Sequence, residues 1–229
     1  MGIHDGHRER LRARFVEHGL DNFNELNALE LLLFYAIPRK DTNVIAHELL
    51  ERFGTLSGVF DAGVRELIEV KDVGYNTAVL LKLIPEIMRK SLISKEEAFP
   101  EIRNSKQAGA FLIPRFRYQK DEFILVLCLD VHKRLISCTE IGRGVVNSVD
   151  VNVRRIAEIA LKNRASSVIV AHNHPGGCPI PSKEDDYTTQ MIYRALVAIQ
   201  IPLADHIIVA NDHIGSYADT GLFHLFARK

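Results

Sequence analysis

Cysteine is scarce in this sequence. Cys128, Cys138 and Cys178 are the only three in 229 residues, an odd, sparse set that argues against a disulfide framework and for reduced thiols in a reducing compartment. Charge of one sign is not in excess: 29 Lys and Arg balance 29 Asp and Glu. The chain is therefore no general polycation, and any contact with nucleic acid must rest on a local patch. No apolar run reaches the ~18 residues of a membrane span, so no membrane partner is expected. The stretch Met1 to Arg14 lacks the apolar centre of a signal peptide and carries Arg8, Arg10, Arg12 and Arg14 instead. A hydrophobic share of 47% and a charged share of 25% lie near the globular average, which excludes a disordered chain. The expectation is a cytoplasmic protein of one large or two small folded domains.

The hydrophobic pattern divides the chain. The first ninety-odd residues read as helices joined by short polar turns. Asn27 can cap a helix through Ala36 that Pro38 stops. Thr42 to Phe53 is a second helix, with Gly54 as its stop, and Tyr75 to Arg89 another. A charged stretch from Ser94 to Asn104, containing Pro100, reads as a linker. Beyond it Phe123–Leu129 is a continuous apolar run, as a buried strand is, and Leu135–Ile141 and Ser167–Ala171 are further strands. Val153–Asn163 and Lys183–Ile199 have helical spacing. Ile207–Ala210 and Ile214–Tyr217 flank Asn211-Asp212, a hairpin turn signal. The second half is thus mixed α/β.

The chemistry concentrates in His172-Asn-His174-Pro-Gly-Gly-Cys-Pro-Ile-Pro-Ser182-Lys-Glu-Asp185. It begins where the strand Ser167–Ala171 ends. Residues i and i+2 of an extended chain project to one face, so His172 and His174 can point at one ion. A loop rich in Gly and Pro can return the start of the next helix to them, where Asp185 offers a carboxylate. Two imidazoles, one carboxylate and a water make an open tetrahedral zinc site, the catalytic kind. Such a site needs a proton acceptor, and Glu140, near the end of the second strand, is the best candidate. Ser182 could donate a hydrogen bond to an oxyanion.

Plainer readings stand beside these. Ser182-x-x-Asp185 after Pro181 is also the spacing of a capping box, and both roles are compatible. Glu184 and Asp186 flank Asp185, and spacing alone does not say which carboxylate binds. Glu140 taken alone is equally a solvated strand-end charge. Asp205-His206 is either a partner for a ligating imidazole or the opening of a strand. Other chemistries fit worse: no Walker loop is present, and Cys178 has no partner two residues on, so the zinc-deaminase signature is missing.

His172-x-His174, seven residues, Ser182, two residues and Asp185 resemble the JAB/JAMM (MPN+) metalloprotease pattern. Leu135-Ile-Ser-Cys-Thr-Glu140, Ala171-His-Asn-His-Pro175, Pro181-Ser182 and Asp205-His-Ile-Ile-Val209 resemble, in order, proteins of RadC type. So do His7-Arg-Glu-Arg-Leu11, Leu29-Glu-Leu-Leu-Leu33 and Val70-Lys-Asp-Val-Gly74 in the first half. The resemblance implies a JAMM domain of cytidine-deaminase-like α/β fold at 105–229, preceded by an all-α, helix-hairpin-helix-like domain at 1–98. It implies one zinc ion per chain on His172, His174 and Asp185, with Glu140 as general base and Ser182 as oxyanion helper. The activity implied is hydrolysis of a peptide, isopeptide or other amide.

The chain departs from the family in places. Gly176-Gly177 stands where Ser-Gly is common, and Cys178 replaces a usual acidic residue. In the first half Asp72 occupies the place of a glycine in a hairpin turn whose backbone N–H groups approach phosphate, adding negative charge there. Residues 1–98 carry 13 Lys and Arg against 16 Asp and Glu, a net of −3. The second functional expectation, drawn from the DNA-repair label of RadC-like proteins, is a DNA-binding adaptor whose metal is structural or vestigial. A helical half that binds protein, or is purely structural, stands beside it.

Overall fold

A computed structural model describes residues 3–94, 100–143 and 149–226. The chain forms two compact units, Met1–Met88 and Arg89–Lys229. The expected linker after Ser94 includes residues 95–99, which lie outside the described residues.

The first unit is helical: α1 (Ile3–His18), α2 (Glu25–Ala36), α3 (Thr42–Phe53), α4 (Leu56–Asp61), α5 (Val64–Ile68) and the start of α6 (Tyr75–Ser94). Leu29, Leu33, Ile45, Leu49, Leu67 and Leu81 form its core. α2 is capped one turn earlier than expected. Asn24, not Asn27, accepts the first free backbone N–H, and that N–H belongs to Asn27 itself. The side chain of Asn27 instead accepts from Arg14. α3 runs over the expected residues and ends at Gly54, whose φ of 82° only glycine adopts readily. Asp72 takes a φ of 65° in its turn, and its carboxylate pairs with Lys40.

The second unit adds α7 (Ser105–Phe116), β1 (Ile124–Leu129), β2 (Leu135–Ile141), α8 (Val149–Lys162), β3 (Ser167–Asn173), α9 (Lys183–Ala198), β4 (Leu203–Ala210), β5 (His213–Ser216) and α10 (Phe223–Phe226). The five strands form one mixed sheet in the order β2-β1-β3-β4-β5. Only the β3–β4 pair is parallel, and α9 is its crossover. The helix α7 is absent from the sequence reading because Gly109 and Pro114 interrupt its pattern.

Side chains alternate across the sheet. Phe123, Leu125, Leu127, Ala171, Ile207 and Val209 face α7 and pack with Phe111 and Leu112. Ile124, Val126, Cys128, Val168, Val170 and Ile141 face the other way, onto Ile156 of α8 and Ile192 and Leu196 of α9. The register pairs Ile124 with both Ile141 and His172, and Leu125 with both Glu140 and Ala171. This alternation decides which residues meet at the strand ends. Among the described residues no helix is long and apolar enough to cross a membrane.

Candidate metal centre

β3 is the central strand, buried along its whole length. Its last turn outward delivers His172 and His174, two residues apart, on the α9 side of the sheet. Their Nε2 atoms lie 3.0 Å from each other. Asp185, in the first turn of α9, completes a triangle, with Oδ1 3.0 Å from His172 Nε2 and Oδ2 3.3 Å from His174 Nε2. Ligand atoms about 2.1 Å from a tetrahedral ion stand ~3.4 Å apart. The three side chains therefore have the spacing of ligands to one ion, and imidazole and carboxylate are a suitable donor set for a divalent transition metal.

Each of the three is fixed from behind. Ser182 caps α9: its Oγ accepts the Asp185 N–H at 3.1 Å, and its own N–H donates to Asp185 Oδ2 at 2.8 Å. The capping box is thus real and is compatible with a ligand role, since Oδ1 is left facing His172. Burial works to raise the Asp185 carboxyl, but the hydrogen bond and charge of His172, with the Ser182 N–H, hold it well below the usual carboxylate range. The ring of His174 is held by Nδ1 against the backbone oxygen of Cys178 at 3.0 Å. That of His172 is held by Nδ1 against Nε2 of His206 on β4 at 2.9 Å. His206 is buried, stacks on Tyr217 with 5.1 Å between ring centroids, and touches the Thr189 hydroxyl. Burial pushes its imidazole far below the usual histidine range, with the neighbouring His172 acting in the same direction. Of the pair Asp205-His206, His206 reaches the centre. Asp205 is turned to the Ser216 hydroxyl and the Ala218 N–H.

Glu140 is not brought to this group. Its register partner is Leu125, so its side chain leaves the sheet on the α7 face, opposite His172. There it pairs with Arg143 at 2.7 and 2.9 Å, and that hydrogen bond, against burial, holds its carboxyl below the ordinary range. The carboxylate that joins the centre is Glu122, whose Oε1 lies 3.9 Å from His172 Nε2. Glu122, His172, His174 and Asp185 offer ligand atoms all within 4.8 Å of one another and could hold a metal ion. Glu122 precedes β1 by two residues and shares the parity of Ile124, which stands opposite His172. Asn173, between the two histidines, clamps it: Oδ1 accepts the Phe123 N–H and Nδ2 donates to the Asp121 oxygen, each at 3.1 Å. That amide, buried on the α7 face, brackets Glu122 on both sides. Parity counted back from the apolar run of the first strand puts Glu122 on the face of Ile124, but only the β1–β3 register brings it to His172.

Comparison with known proteins agrees with this architecture. Residues 102–222 match the family model of the RadC-like JAB domain. The chain is 35% identical over 226 residues to the UPF0758 protein FN0909 of Fusobacterium nucleatum, covering 95% of this chain and 97% of the relative. It is 33% identical over 213 residues to the UPF0758 protein Reut_A2732 of Cupriavidus pinatubonensis, with 93% of each chain covered. To the UPF0758 protein HEAR2468 of Herminiimonas arsenicoxydans it is 31% identical over 222 residues, covering 96% and 99%. A match across most of the second unit, together with relatives aligned end to end, places the chain in the RadC family of JAB-domain proteins.

Proposed function

We propose that this chain is a zinc-dependent hydrolase of JAMM type that cleaves an amide, either a peptide or an isopeptide. The observation that carries the reading is the triangle of His172, His174 and Asp185 donor atoms at 3.0 to 3.3 Å, with a further carboxylate beside it. A zinc ion on those three residues supplies Lewis acidity and brings the pKa of a water to about 7. Glu122, rather than Glu140, is the general base in this reading: its carboxylate accepts the proton of the attacking water and returns it to the departing amine. Asn173 keeps that carboxylate on station. Ser182 uses a lone pair of Oγ to cap α9, so its hydroxyl hydrogen is available to an oxyanion.

The test combines metal analysis with turnover on fluorogenic peptide and isopeptide substrates. One zinc per wild-type chain is expected, lost in His172→Ala and in Asp185→Ala. Glu122→Gln should keep the zinc and lose turnover. If both ligand variants retain stoichiometric zinc, the site is wrong. If Glu122→Gln turns over normally, the base is wrong.

A further inference from the structure

We propose that the second unit carries a site for the phosphate group of a small molecule, in the cleft on the α7 face of the sheet where Arg89, Arg115 and Arg143 converge. The cleft measures about 400 Å³, and Gln119, Glu140 and Phe123 are among its other lining residues. It is separate from the metal centre. Phe123 and Glu140 face α7, whereas His172 and Glu122 point to the opposite side of the sheet. The proposal therefore does not rest on reading that centre as a hydrolase.

Charge sets the class of ligand. Three guanidiniums and a single carboxylate line the cleft, an excess of two positive charges. A phosphate monoester carries about −1.5 to −2 charges at neutral pH and presents three acceptor oxygens, so it matches that excess. A monocarboxylate matches only half of it. The planar fork of a guanidinium takes the oxygens of an oxoanion in pairs, which an ammonium does not. A cleft of this volume admits a small molecule.

The guanidiniums are placed before any ligand arrives. Arg143 lies over the ring of Phe123, 4.2 Å from its centroid, and Arg115 over that of Phe111 at 3.3 Å. Arg115 also donates to the Phe111 backbone oxygen. Glu140 accepts from Nε and Nη2 of Arg143 at 2.7 and 2.9 Å, and Gln119 Oε1 accepts from its Nη1 at 2.7 Å. The Arg143 hydrogen bond, against burial, lowers the Glu140 carboxyl, and the charge of Arg89 acts in the same direction. All three arginines thus have partners within the protein. The ligand joins a cluster already formed, and less side-chain freedom is lost on binding. Glu140 has two opposed effects here: it orients Arg143, and its own charge repels an anion.

Isothermal titration calorimetry of the full chain with glycerol 3-phosphate at fixed ionic strength tests this. Saturable one-to-one binding with a Kd below about 1 mM is expected. Arg115→Gln and Arg143→Gln should each weaken it about 10-fold or more, as loss of hydrogen bonds to a charged group does. Glu140→Gln keeps an acceptor for Arg143 and removes the repulsion, so it should bind several-fold tighter. His172→Ala should bind as wild type does. Arg154→Gln, a change at an exposed arginine outside the cleft, should also match wild type. No saturable binding, equal losses in Arg154→Gln and the cleft variants, or loss in His172→Ala overturns the proposal. Succinate binding as tightly as the phosphate ester overturns the choice of ligand. So does a single-stranded oligonucleotide that displaces the ester at lower concentration, which would make the cleft part of a nucleic-acid surface. Should an arginine variant fail to fold by circular dichroism, the Glu140→Gln titration decides: affinity equal to or below wild type refutes an anion site.

Discussion

Replacing Gly215 with alanine probes how closely the loop after His174 is seated on the sheet. Gly215 lies in β5, opposite Ile208 of β4, and the loop crosses directly over it. A Cβ built there stands 1.9 Å from the carbonyl oxygen of Pro179 and 3.1 Å from its carbon. The obstacle is backbone, so no rotamer change relieves it. The loop or the strand must move by about 1 Å, and such overpacking typically costs about 1–3 kcal/mol. The same loop carries His174 and the Cys178 oxygen that holds its ring. Metal sites keep ligand distances within about 0.2 Å, so a shift of this size exceeds the tolerance of the centre. Zinc affinity should fall about 10–100-fold, equivalent to ~1.4–2.7 kcal/mol. Chelator competition measures the affinity, and urea unfolding monitored by circular dichroism measures the stability. Gly74→Ala is the control, because a Cβ there meets nothing within 4 Å. Unchanged zinc affinity in Gly215→Ala would show that the loop has slack the geometry does not reveal, and the argument from seating would fail.

Three more expectations follow from the same geometry. Glu140→Gln should leave zinc content and turnover as in wild type and cost under about 1 kcal/mol, since its main partner is Arg143 in a half-exposed pair. The hydrogen bond from Arg143 lowers this carboxyl from its ordinary 4.5, so the pair's contribution is complete above that pH and is lost only as pH falls further, which acid titration of the two proteins will show. Asn173→Ala should lower unfolding free energy by about 2–4 kcal/mol, because it strands the Phe123 N–H and the Asp121 oxygen, and equilibrium unfolding measures it. In the folded protein a maleimide should label Cys178 first, being exposed, and Cys128 only on unfolding; burial raises the Cys128 thiol, and reversed order by mass spectrometry would contradict the fold.

How far the sequence revealed the site depends on the range of each interaction. His172, His174 and Asp185 meet through a period-two strand end and a helix start 13 residues from the first of them, all local features that spacing encodes. Glu122 meets His172 only through the β1–β3 register, across 50 residues, and nothing local announces it. Glu140 attracted attention as a carboxylate near a strand end, but strand ends have two faces. The strands were legible because β1 and β3 are buried on both sides and read as apolar runs. Helix α7 was hidden by Gly109 and Pro114, although Ala108, Phe111, Leu112 and Phe116 do lie inward. The cap of α2 slipped by a turn because Asn24 and Asn27 are both competent, and a contact with Arg14 settles the second one's role.

The antiparallel pairing of β1 with β3 also determines which changes of chain length the centre can absorb. Glu122 and His172 are neighbours by cross-strand bonding and not by distance along the polymer. Residues added to the turn after Leu129 or between β2 and β3 lengthen the path between them and leave their meeting untouched. Deleting a single residue within β1 is different in kind. It would turn every side chain on one flank of the deletion inside out, send Glu122 to the far side of the sheet, and leave the two imidazoles and Asp185 without the further carboxylate. Drift in loop length is therefore tolerated here, whereas a one-residue slip in the strand is not.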